Sequence, residues 1–87
     1  MHLETELYDY FFRAEETHWW FRARRRILAD FLARRYPAGG LRIADVGCGT
    51  GGMLPILARL GTVTGVDEAP EARDYCARRG YPDVRDM

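Results

Sequence analysis

The stretch "ADVGCGTGG" (residues 44–52) decides how this chain folds: four of its nine residues are glycine. It overlaps "LRIADVGC" (41–48), a short and mostly apolar run that reads as a strand of a parallel sheet covered on both faces. Beyond it, "GGMLPILARLG" (51–61) reads as a helix entered from the glycine turn and closed by Gly61. Pro55 suits its first turn, where a missing N–H matters least. A strand that ends in a glycine turn and runs into a helix lets backbone approach a ligand closely, with free N–H groups at the helix start.

Downstream, the pattern repeats. "TVTGVD" (62–67) is a second strand, "APEARDYCARRG" (69–80) a second helix, and "YPDVRDM" (81–87) the beginning of a third strand. Strands and helices thus alternate as β-α-β-α-β, whose crossovers are right-handed in nearly all proteins. Upstream, "LETELYDYFFRAEE" (3–16) places Leu3, Leu7, Tyr8, Phe11 and Phe12 at helical spacing. A further helix is expected over 18–36, with an apolar stripe of Trp20, Ala23, Ile27, Leu28, Phe31 and Leu32, stopping before "PAGG" (37–40). The fold class is α/β, with a helical lid over residues 1–40 and a Rossmann-like half-domain over 41–87.

Composition narrows the function classes. At 87 residues the chain makes one small domain, and a chain near this size buries only roughly 60% of its extended surface. Thirteen basic residues, all arginine, balance thirteen acidic ones, so no net charge draws the molecule to nucleic acid or an anionic membrane. Cys48 and Cys76 have no metal-ligand spacing, and His2 and His18 have no matching cluster, so no metal is expected. With no secretory signal or long apolar run, a cytoplasmic location without membrane partners is the expectation.

The glycine turn satisfies two cofactor patterns at once. Gly47, Gly49 and Gly52 give the G-x-G-x-x-G spacing of nicotinamide dinucleotide sites. Asp45 followed by Gly47, Gly49 and Gly51 gives the acidic-then-G-x-G-x-G pattern of an S-adenosylmethionine (SAM) site. Asp67, 20 residues after Gly47, can accept hydrogen bonds from ribose hydroxyls in either case. Asp45 separates them. A carboxylate there would repel a pyrophosphate, whereas SAM has no phosphate and carries an ammonium and a sulfonium. The aromatic-rich helices ahead of the strand, poised to lie over a cofactor, also favour SAM.

"IADVGCGTGGML" (43–54) followed by "VTGVDEAPEARDYCARRG" (63–80) resembles the glycine loop and acidic second strand of class I SAM-dependent methyltransferases. "HWWFRARRRIL" (18–28) is similar to the opening helix of one bacterial branch of that family, so the resemblance runs over residues 8–87. It implies that Gly47, Gly49 and Gly51 pass the methionine part of SAM, with Cys48 a small, unreactive side chain between them. It further implies that Asp45 reaches the amino group, Asp67 holds the ribose diol, and Glu68 and Ala69 flank the adenine. Trp20 and Arg24, on the inner side of the second helix by periodicity, would cover the cofactor and pair with its carboxylate. The implied activity is methyl transfer to an unknown acceptor, leaving S-adenosylhomocysteine (SAH); no catalytic residue is assigned.

In that family the sheet has the strand order 3-2-1-4-5-7-6. This chain reaches only the start of the third strand, so it reads as a fragment or truncated frame that is inactive by itself. The first strand would then be an open apolar edge, expected to be covered by a second copy in a homodimer or by the missing C-terminal half. Two alternatives stand beside the methyltransferase reading. One is a piece of an NAD(P)-dependent oxidoreductase, favoured by Gly52; the other is a non-enzymatic interaction module that keeps the fold.

Overall fold

A computed structural model describes residues 3–86. The elements run α1 (Leu3–Thr17), α2 (Trp19–Arg35), β1 (Leu41–Val46), α3 (Leu54–Ala58), β2 (Gly61–Val66), α4 (Pro70–Arg78) and β3 (Val84–Arg85). The three strands form a parallel sheet in the order β1-β2-β3. Leu41 to Val46 pair in step with Gly61 to Val66, and Gly65 and Val66 pair with Val84 and Arg85. This is the Rossmann-like α/β arrangement anticipated from the strand–turn–helix alternation.

The α1–α2 junction is set by His18. Its Nδ1 accepts the Trp20 N–H at 3.1 Å, capping α2 and satisfying one of the free donors of its first turn. The two helices then meet edge-on through Phe11 and Phe21, with ring centroids 6.1 Å apart. The core lies where α1, α3 and α4 converge, on Ala14, Leu54, Leu57, Ala72, Tyr75 and Cys76. Phe12 of α1 packs on Tyr75 of α4 at 4.8 Å, and the Tyr75 hydroxyl donates to Asp9 at 3.2 Å. Complete burial of Leu54 contributes about 2 kcal/mol.

Three expectations are corrected. The helix expected over 51–61 is confined to Leu54–Ala58. Gly51 has a left-handed φ of +84° that no α-helix accommodates, and the last turn closes through the short bonds Arg59 N–H to Ile56 O and Leu60 N–H to Leu57 O. β1 is not covered on both faces: Leu41, Ile43 and Asp45 are half-buried, while Arg42, Ala44 and Val46 are exposed. Among the described residues β1 pairs only with β2, so it is an edge. Finally, the apolar stripe of α2 is not core. The helix buries none of its residues, and Trp20, Ile27 and Phe31 are exposed. Of that stripe only Leu28 and Leu32 are half-buried, and they lie on one side of the helix with the half-buried Phe21.

Candidate cofactor site

The turn after β1 is built by backbone geometry that few residues tolerate. Gly47 and Gly49 adopt φ of +74° and +58°, and a Cβ at either would point into open space. Backbone is therefore presented bare on that side, as a cradle for a ligand requires. β2 holds the turn through its end: Gly47 N–H and Cys48 N–H both donate to the Val66 carbonyl, at 2.7 and 3.2 Å. Asp67 follows immediately, and its Oδ2 accepts the Gly49 N–H at 3.0 Å while Oδ1 accepts the Ala69 N–H at 3.0 Å. Asp67 thus fastens the turn to the start of α4. Each carboxylate oxygen keeps a second acceptor direction.

Around this cradle the structure gathers most of the residues singled out above. Asp45, next to last in β1, is half-buried, and its side chain carries no hydrogen bond among the described residues. Burial pushes its carboxyl above the ordinary aspartate value of 3.8; the Arg24 guanidinium pulls the other way and the Glu15 carboxylate adds to the rise. Arg24 therefore lies within electrostatic reach of Asp45 across the α2–β1 gap, with its guanidinium 5.6 Å from the Trp20 ring centroid. Glu68 and Ala69 line an apolar groove of about 500 Å³ with Leu7, Tyr8 and Phe11 of α1.

Cys48 and Cys76 form a second layer beneath the turn. Their sulfurs are 3.8 Å apart, and the Cys76 thiol donates to the Gly49 carbonyl at 3.2 Å. Burial, reinforced by Cys48, pushes Cys76 up to about 12. Burial also raises Cys48. Both stay neutral thiols that pack and hydrogen-bond rather than attack.

One site residue escaped the sequence reading. Glu15 of α1 reaches into the turn from its far side: Oε2 accepts the Gly52 N–H at 3.0 Å, and Oε1 accepts the Thr50 hydroxyl. Arg79, at the end of α4, donates to Glu15 at 3.1 Å, to the Thr50 carbonyl at 2.7 Å and to the Phe12 carbonyl at 2.8 Å. A Cβ on Gly52 would overlap the Glu15 carboxylate. The fourth glycine, which alone completed the nicotinamide pattern, is accounted for by this approach of Glu15.

Comparison with known proteins agrees with this geometry. Residues 44–85 match the family model described as a methyltransferase domain. A ubiquinone biosynthesis O-methyltransferase of Xylella fastidiosa is 38% identical over 69 aligned positions that take in 69% of this chain and 28% of the relative. Its counterpart in Xanthomonas campestris is also 38% identical, with 29% of that relative covered. The chain thus spans less than a third of the length of these relatives. Among solved structures, SAM-bound CalS10, an amino pentose methyltransferase from Micromonospora echinaspora, superposes with a TM-score of 0.60 at 31% identity, over 92% of this chain and 33% of that one. A protein from Methanococcus maripaludis shares the fold, with a TM-score of 0.71 at 14% identity over 95% of this chain and 40% of that one. Fold, turn and matches together support a class I SAM-dependent methyltransferase with SAM as cofactor. No helix among the described residues is long and apolar enough to cross a membrane.

Proposed function

We propose that this chain is the cofactor-holding segment of an enzyme that transfers a methyl group from SAM. The observation that carries the choice of ligand is the contact between Glu15 and Gly52. The chain's own Glu15 carboxylate takes the Gly52 amide where the turn enters α3, and the unbonded Asp45 carboxylate stands where β1 enters it. Two carboxylates flanking the turn disfavour a phosphate ligand and suit one with an ammonium and a sulfonium.

The residues present fit SAM by their donor chemistry. Asp45 takes the ammonium, Arg24 the carboxylate, and the bare Gly47–Gly49 backbone lets the methionine part pass. Asp67 accepts the ribose hydroxyls through the free lone pairs of the two oxygens that already hold Gly49 and Ala69. Glu68 and Ala69, with the groove against α1, flank the adenine. Gly51 keeps the turn's path and Cys48 packs beneath it. α2 acts as a lid through Trp20 and Arg24. When bound, SAM supplies an electrophilic methyl carbon; the protein's part is to fix it in line with the acceptor, where orientation alone supplies much of the rate. The curated relatives are named O-methyltransferases, which supports an oxygen nucleophile as acceptor.

Ultraviolet crosslinking of methyl-labelled SAM to the chain tests this reading. Labelling should be competed by unlabelled SAH and indifferent to NAD. Equal competition by NAD would overturn it.

A further inference from the structure

Glu15 is half-buried and its carboxylate is shared between two parts of the molecule, the glycine turn and the end of α4. Its side chain is 15% exposed and that of its partner Arg79 only 6%. Hydrogen bonds tie α1 to the turn and to α4 along its length: Glu15 to Thr50, Gly52 and Arg79, the Phe12 carbonyl to Arg79, and Asp9 to Tyr75. Arg79 closes the circuit by holding the Thr50 carbonyl, and its fourth contact is Glu16 at 2.7 Å. Thr50, Gly51 and Gly52 are all buried. The turn is held by β2 at Gly47 and Cys48, and by Glu15 and Arg79 at Thr50 and Gly52.

We propose that Glu15 is a positioning residue for the cofactor. Resting on the SAM reading above, it acts through Thr50 and Gly52 to hold the turn in the one path that leaves Gly47 and Gly49 bare. α1 is then an integral part of the cofactor cradle. The turn itself has little to hold it on that side: α3 begins only at Leu54, and Met53 ahead of it makes no side-chain cap. With Glu15 gone, the Gly52 N–H and the Arg79 guanidinium would both lose a buried partner, and the turn would relax to satisfy them elsewhere. A carboxamide at the same position keeps an acceptor oxygen for Gly52.

The test compares the chain with E15A, E15Q and G52A, using amide NMR spectra and SAH titration by calorimetry below each melting point. E15A should stay folded, shift the Thr50–Gly52 amides, and bind SAH about tenfold more weakly. E15Q should recover most of that loss. G52A expels Glu15 by overlap, so it should match E15A, and the double variant should be no weaker than either single one. A folded E15A with wild-type affinity would overturn the proposal, and should E15A not fold, G52A carries the same comparison. Absence of SAH binding by the unmodified chain would bring down the SAM reading and this inference with it. Wild-type binding with undiminished E15A sinks the inference alone.

Discussion

The Asp67 carboxylate accepts the Gly49 N–H at 3.0 Å, tying the end of β2 to the turn that follows β1. The same carboxylate holds the Ala69 N–H at the start of α4, so one side chain fixes two backbone segments. Loss of both acceptors in D67A is expected to cost about 2 kcal/mol of stability, with D67N retaining part of it. Urea denaturation of the three proteins measures this. Equal midpoints for D67A and wild type would mean that the two bonds are not made in solution.

Asp45 gives the site a pH dependence whose sign follows from its surroundings. Its folded carboxyl titrates above the ordinary 3.8 because burial disfavours the charge. Folding therefore favours the protonated form. That contribution to stability is present below the ordinary value and is lost as pH rises through the raised one. D45N should flatten the stability profile in this window and melt later than wild type at neutral pH. A ligand ammonium beside Asp45 reverses the shift, so SAH binding just above the ordinary value should release protons. Binding enthalpies measured in two buffers of different ionisation heat report it, and no buffer dependence would contradict the placement.

The two thiols make a separate alkaline prediction. Cys76 is raised from 9.0 to about 12, burial being the main cause. Its stabilising contribution is intact below the unfolded value and is lost as pH climbs through the folded one. C76A should lose less stability than wild type between those limits. At neutral pH iodoacetamide should label Cys76 only when urea is present; rapid labelling of the folded chain would contradict its burial.

The outer face of α2 and the core beneath α3 should respond differently. I27S and F31S alter side chains that are 67% and 62% exposed, and each should change stability by about 0.5 kcal/mol or less. L54A removes a side chain that is 1% exposed and should cost about 3 kcal/mol. Thermal melts decide it. A large loss in F31S would show that α2 packs through its apolar stripe after all.

That contrast also marks what could be read from the residues and what could not. Glycine and proline punctuation at Pro37, Gly39, Gly61 and Gly80, with the change from helical to strand patterning after Gly40, located the elements because those signals are local. Periodicity in α2 identified an apolar face but says nothing about what covers it, so Trp20, Ile27 and Phe31 were assigned inward. Asp45 and Asp67 were legible because they sit at strand ends beside a glycine turn. Glu15 was not. It is one of several acidic residues on α1, and its partner Gly52 is 37 positions away. The one available signal was Gly52 itself, a fourth glycine that the SAM pattern leaves unused.

The central claim is that the turn between β1 and α3, with Asp67, holds SAM and not a nicotinamide dinucleotide. Calorimetric titration of the purified chain with SAH and with NAD, repeated on D67A, tests it most directly. Saturable SAH binding that disappears in D67A, with no heat from NAD, is the predicted result. Saturable NAD binding, or SAH binding untouched by the loss of Asp67, would contradict it.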